Sequence, residues 1–182
     1  MRFELINNFI TPEEADILNR FTISSVVSKK FVDGRTSKYL NDAGVHMVSR
    51  FTPSIEFPEL AIQLQNRLCK ILDLGPEHIH RMFHPTGIVV NCTYKGGKLL
   101  EHKDPKDPDK PTKSLLRCNL LSSASLAGGD LMVEGTKVDI PELSIYFCLV
   151  SDHTHSITTV EGNKPRILWQ FGFDVDPEDW NS

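Results

Sequence analysis

The sequence predicts an α+β fold with helices in the first third and a series of short strands after it. Three observations carry this expectation. A helix start at Thr11-Pro12-Glu13-Glu14 and four leucines at i+4 spacing, Leu60 to Leu72, stand before Gly75. After Pro85 the apolar runs become short and strand-like. Between those runs stand turn residues, among them Gly96-Gly97, Gly128-Gly129 and Gly162-Asn163. Helices first and many punctuated strands afterwards indicate strands packed as a sandwich or barrel with helical support.

The first helix starts at Thr11-Pro12-Glu13-Glu14. Thr serves as N-cap, Pro fits the first helical position, and Glu14 completes a capping box. Leu18 and Phe21 give it an apolar stripe. A second helix is expected from about Pro58 to Leu74, where Leu60, Leu64, Leu68 and Leu72 share one face and Gly75 marks the stop. Lys29 to His46 is polar, contains Gly34 and Gly44, and reads as a loop or irregular hairpin. The strand-like runs are Ile88 to Tyr94, Leu115 to Leu121, Asp130 to Glu134, Leu143 to Val150 and Arg166 to Phe173. Lys103 to Lys113, dense in Lys, Asp and Pro, is expected to be a mobile surface loop, because proline cannot donate to a central ladder.

With 182 residues, the chain is expected to form one domain over 1–182, with helical support at about 10–75 and a barrel at about 86–174. Its 40% hydrophobic and 24% charged residues exclude wholesale disorder. A net charge of −4 gives no global reason to expect nucleic acid or a membrane surface as partner. The longest clean apolar run, Ile145 to Val150, is too short to span a bilayer. Met1-Arg2-Phe3-Glu4 does not open a secretory signal pattern. Cys69, Cys92, Cys118 and Cys148 form no C-x-x-C pair and sit among apolar neighbours, so they read as small buried hydrophobes in a reducing, cytoplasmic compartment.

The chemistry concentrates in the second half. His102 stands two residues before Asp104, and on an extended segment such side chains point the same way. Asp152-His153-Thr154-His155 follows and offers a second imidazole from either histidine. Two His and one carboxylate on one face of an octahedral ion leave three positions open. On the last strand, Arg166, Leu168, Gln170 and Gly172 share one face, while Ile167, Trp169, Phe171 and Phe173 share the other. The aromatic face must pack on a layer, so Arg166 points inward. There it needs either a protein carboxylate or an anionic ligand. By the same alternation Arg117 and Asn119 face the interior with Leu115 and Leu121, and Tyr94 is near enough in sequence to contribute a hydroxyl.

In their order these residues resemble the 2-oxoglutarate and Fe(II)-dependent dioxygenases, in the prolyl-4-hydroxylase-like branch. The resemblance rests on Tyr94-Lys95-Gly96-Gly97, His102-Lys103-Asp104, Gly128-Gly129-Asp130-Leu131, and His155 with Arg166 eleven residues on. It runs from about Ile88 to Phe173. It implies a double-stranded β-helix, a jelly-roll or cupin-like barrel of two antiparallel sheets with the metal in one mouth. His102, Asp104 and His155 would then ligate Fe(II) and carry catalysis. His153 is the rival third ligand, or else a residue beside the ligands or substrate. Arg166 would hold the far carboxylate of 2-oxoglutarate, with Tyr94, Arg117 and Asn119 as further cosubstrate contacts. One departure is Leu168, where family members often carry a hydroxyl-bearing side chain.

The implied reaction consumes 2-oxoglutarate and O2, gives succinate and CO2, and hydroxylates a substrate C–H bond, with ascorbate as an expected stimulant. A peptide side chain is the first substrate expectation. A free amino acid, small metabolite or nucleobase is the second, and a metal-binding barrel without turnover the third. Lys103 to Lys113 and Lys29 to His46 are expected to flank the mouth as substrate lids; Lys103, Lys106, Lys110 and Lys113 could suit an anionic partner, but Asp104, Asp107 and Asp109 interleave with them, and a solvated loop is the preferred reading.

Overall fold

The computed structural model describes residues 4–33, 40–41, 45–47 and 54–181. Two antiparallel sheets face each other, and together they form the double-stranded β-helix. The larger sheet contains β1 (Glu4–Ile6), β2 (Val32–Asp33), β4 (Val45–Met47), β5 (Ile88–Thr93), β7 (Ser114–Ser123), β10 (Ile145–Leu149) and β12 (Arg166–Val175). Its order is β1-β10-β7-β12-β5-β4-β2. The smaller sheet contains β3 (Leu40–Asn41), β6 (Lys98–His102), β8 (Leu131–Val133), β9 (Thr136–Val138) and β11 (His155–Ile157). Its order is β3-β6-β11-β8-β9.

Helices α1 (Pro12–Val27) and α2 (Glu59–Leu72) cover the outer face of the larger sheet. The capping box of α1 forms as the sequence predicts: Glu14 N–H donates to Thr11 Oγ1 at 3.2 Å, and Thr11 N–H donates to Glu14 Oε2 at 2.9 Å. Leu18 is fully buried, and Phe21 packs against the same core. Leu64 and Leu68 are the buried centre of the α2 stripe, with Leu60 and Leu72 packed at its margin. The expected stop at Gly75 is corrected. The helix closes earlier, on Asp73 in the left-handed region at φ 53°, a conformation that a short polar side chain tolerates. Gly75 instead precedes the 3-10 turn Pro76–His78.

Strand alternation divides the interior into two cores. Val90, Cys92, Leu116, Cys118, Leu120, Phe147, Ile167, Trp169, Phe171 and Phe173 face the helices. Leu115, Leu121, Tyr146, Cys148 and Leu168 face the smaller sheet, where Leu131, Val133 and Ile157 meet them. Every residue of β5 and β7 is buried, because both faces of these central strands are covered. The five strands expected from sequence are present within a few residues of their limits. β6, β9 and β11 are not legible as strands, since their polar residues break the apolar runs and β9 and β11 are only three residues long.

Two loop expectations meet the structure differently. In the Lys29 to His46 segment, β2 pairs with β4, as an irregular hairpin would. Gly34, Gly44 and the rest of 34–39 and 42–44, on which its lid role depends, lie outside the described residues. Lys103 to Lys113 is irregular as predicted, and its lysines are engaged within the chain. Lys103 Nζ donates to Asp152 O at 2.7 Å, and Lys106 Nζ lies 3.3 Å from Asp152 Oδ1. Lys110 Nζ contacts buried Asp174 at 2.8 Å, and Lys113 Nζ contacts Asp176 at 2.6 Å. The loop is pinned to the end of the larger sheet. Among the described residues, no helix is long and apolar enough to cross a membrane.

Two outcomes follow from this packing. Trp169 is fully buried, with its ring centroid 5.9 Å from that of Phe21 and 5.7 Å from that of Phe57. Trp169→Ala should lose roughly 3–5 kcal/mol in denaturant unfolding, and an unchanged midpoint would contradict the two-core arrangement. The cysteines give a second check. Burial pushes the Cys92 thiol up to about 11 and the Cys148 thiol up to about 12, and Cys118 well above its usual value. These three stay protonated and covered at pH 8, so iodoacetamide should label only half-buried Cys69 in the native protein and all four cysteines after unfolding. Native labelling of Cys92 or Cys148 at the unfolded rate would overturn their placement.

Candidate functional site

Strand pairing brings the site together. The register places His155 of β11 directly opposite His102 of β6, and their rings lie 4.4 Å apart, centroid to centroid. Asp104 follows β6 as the chain leaves the sheet, and its N–H donates to Val150 O at 3.0 Å. This anchor turns the carboxylate back between the imidazoles. Asp104 Oδ1 is 3.2 Å from His102 Nε2 and 3.9 Å from His155 Nε2. One ligand atom from each of the three residues fits within 4.8 Å of the others.

The outer ring nitrogens are occupied by backbone. His102 Nδ1 lies 2.7 Å from Leu100 O, and His155 Nδ1 lies 3.4 Å from His153 O. A carbonyl accepts only from N–H, so these contacts place a proton on each Nδ1 and turn both Nε2 atoms toward Asp104. Burial pushes the His155 pKa down, which keeps it neutral near pH 7. Burial alone would raise Asp104, but the His102 hydrogen bond and the Arg117 and His155 charges outweigh it and hold the carboxyl well below its usual range. Against its burial, the Asp104 hydrogen bond raises the His102 pKa, so an ion would have to displace any proton on that Nε2; the arrangement then offers two imidazole nitrogens and one ionised carboxylate, the donor set of a first-row divalent metal.

Beside it, a cavity between the sheets is lined by polar Asn91, Thr93, Asn119, Tyr146, Arg166 and Gln170 and by apolar walls such as Leu131, Val133 and Leu168. Arg166 is 3% exposed, and its side chain hydrogen-bonds the Tyr146 hydroxyl. Nearby Asp130 is paired to Lys137 at 2.9 Å. Gly129, at φ 71°, lets the turn before β8 press against this arginine. A Cβ there would come within 3.1 Å of Arg166 Cδ and 2.6 Å of Ser125 Oγ. A chain of amides crosses the cavity: Asn91 Nδ2 donates to Gln170 Oε1 at 2.9 Å, and Gln170 Nε2 donates to Asn119 Oδ1 at 2.9 Å.

Not every expected residue arrives here. Tyr94 lies on the opposite face, packed against the helix-side core and hydrogen-bonded to the Cys92 thiol. Strand alternation explains this, since Asn91 and Thr93 take the interior positions. The tyrosine that lines the cavity is instead Tyr146, from the strand Ile145–Leu149. Arg117 does point inward, but it does not line the cavity; its Nε donates to Asp104 Oδ2 at 3.3 Å. Asn119 lies in the lining, as expected. His153 is outside the cluster, with Nδ1 3.5 Å from Glu134 Oε1. A second group, His80, Asp107 and Asp174, is close enough to hold an ion, but Lys110 already neutralises Asp174 there.

No protein-family model matches the sequence, and no curated protein matches it. The fold, by contrast, has clear relatives among solved structures. The viral collagen prolyl hydroxylase of Paramecium bursaria Chlorella virus-1, in its 2OG complex, superposes with a TM-score of 0.65 at 16% identity, covering 96% of this chain and 97% of that one. A Pseudomonas putida prolyl-4-hydroxylase gives 0.65 at 13% identity, with coverage of 95% and 92%. A Trichoplax adhaerens prolyl hydroxylase in complex with a hypoxia inducible factor peptide fragment gives 0.66 at 14% identity, with coverage of 98% and 86%. Over nearly its whole length the chain therefore has the double-stranded β-helix fold of solved prolyl hydroxylases.

Proposed function

We propose that this protein is an Fe(II)- and 2-oxoglutarate-dependent dioxygenase that hydroxylates a peptide side chain, with proline as the first residue to test. One observation carries the reading: two imidazole Nε2 atoms and an ionised carboxylate converge beside a buried arginine whose protein partner is a phenol. The donor set fits a ferrous ion. His102, Asp104 and His155 would hold one face of it, and the backbone contacts of both Nδ1 atoms mean that no ring has to reorient.

Arg166 suits the distal carboxylate of a dicarboxylic acid, because a guanidinium matches a carboxylate in shape and charge. Tyr146 orients it, and the Asn91–Gln170–Asn119 chain fixes the floor on which the acid would lie. Leu131, Val133, Ile157 and Leu168 keep the cavity walls apolar and exclude water from the reacting centre. When bound, iron, 2-oxoglutarate and O2 supply the oxidising power for C–H hydroxylation, with succinate and CO2 as coproducts. The chain's own residues supply position and shielding. The peptide substrate is inferred from the solved structures of this fold, one of which holds a peptide fragment.

The test is succinate formation from 2-oxoglutarate with Fe(II) and ascorbate, followed by a search for a 16 Da mass gain in proline-containing peptides. The wild-type protein should form succinate, and His102→Ala, Asp104→Ala and His155→Ala should form none. Arg166→Ala should raise the 2-oxoglutarate requirement at least about tenfold, as expected for loss of a charged hydrogen bond. His153→Ala should retain turnover. Normal succinate from His155→Ala with none from His153→Ala would reverse the choice of third ligand, and an unchanged cosubstrate requirement in Arg166→Ala would overturn the pocket.

A further inference from the structure

Asp104 is gripped from two sides. Oδ1 faces the imidazoles, while Oδ2 accepts from Arg117 Nε at 3.3 Å. Arg117 is 2% exposed and reaches this carboxylate from β7. Among the described residues, the rest of its guanidinium has no second carboxylate. Its central carbon lies 5.0 Å from the centroid of Phe83, and Nη1 is buried without a hydrogen-bond partner among the described residues. The opposite strand makes room for it. Gly172 pairs with Arg117 in the register, and a Cβ at that position would come within 2.8 Å of Nη1. A guanidinium buried with one donor unsatisfied is costly, and burial of this kind calls for a role beyond filling space.

A carboxylate with both oxygens free can rotate and offer an ion one oxygen or two. Two-oxygen ligation would occupy a position that a chelating cosubstrate and O2 require. Resting on the function proposed above, we infer that Arg117 is a positioning residue for the metal: by holding Oδ2 it makes Asp104 a one-oxygen ligand aimed between His102 and His155. The guanidinium has two opposed effects on a cation. Its hydrogen bond fixes the ligand geometry, and its positive charge repels the ion. Substitution can separate them. Glutamine carries its amide nitrogen the same number of bonds from the backbone as Nε of arginine, so Arg117→Gln keeps a donor to Oδ2 and removes the charge. Arg117→Met has similar length with neither donor nor charge, and Arg117→Leu is a second donor-free variant.

The experiment measures binding of Mn2+ alone to the full chain, from the electron paramagnetic resonance signal of the free ion, with circular dichroism to verify the fold. Arg117→Met and Arg117→Leu should each bind Mn2+ about ten- to a hundredfold more weakly than Arg117→Gln, the range seen when a group supporting a metal ligand is lost. Equal or tighter binding by a folded donor-free variant would overturn the positioning role, since charge is absent from all three variants. Failure of the wild-type protein to bind Mn2+ in a His102-dependent manner would overturn the proposed function instead. The two failures are thus told apart.

Discussion

Between the two sheets lie a half-buried carboxylate, Asp104, and two buried guanidiniums, Arg117 and Arg166, and the surrounding structure is arranged around their charge. Asp104 accepts from Arg117 and faces two imidazoles, while Arg166 leans on the Tyr146 hydroxyl. Isolated charges in such a place would cost several kcal/mol each. In the proposed function, a metal dication and an acid with two carboxylates would supply the missing counter-charges: the ion for the histidine and aspartate donors, the acid for Arg166. This complementarity, more than any single distance, is why the cavity reads as a binding site rather than as a structural ion-pair network. The His80, Asp107 and Asp174 group is the useful contrast, because Lys110 already completes its charge.

The helices make that interior possible. Strands whose inward face is polar cannot gain enough stability from that face alone. β5, β7 and β12 therefore place an almost wholly apolar face against α1 and α2, with Trp169 at the centre between Phe21 and Phe57. One face contributes most of the hydrophobic burial, and the other is free to carry amides and charges. The division follows directly from the period-2 alternation of Arg166–Val175 and Ser114–Ser123.

That alternation is also what made so much legible in sequence. The inward set of Arg166, Leu168 and Gln170 and the outward set of Ile167, Trp169 and Phe171 are both observed. So are the capping box at Thr11 and the convergence of His102, Asp104 and His155. What failed was whatever depended on a neighbour in space. Tyr94 had the right residue type near the right motif, but it sits past the end of β5 on the side of Cys92. Tyr146 is not legible because a strand buried on both faces, Ile145–Leu149, hides which face is inner. The partners of the lysines in residues 103–113 are not legible either, because Asp152, Asp174 and Asp176 lie far along the chain. Arg117 was placed correctly on the inner face, yet its reach to Asp104 depends on Gly172 across the strand pair.

The most direct check of this account is a crystal of the protein grown with Mn2+ and 2-oxoglutarate, with the ion located by its anomalous scattering. The account predicts one strong peak within bonding distance of His102 Nε2, His155 Nε2 and a single oxygen of Asp104, with the far carboxylate of the acid on Arg166. A peak on His153, or an acid bound away from Arg166, would contradict it.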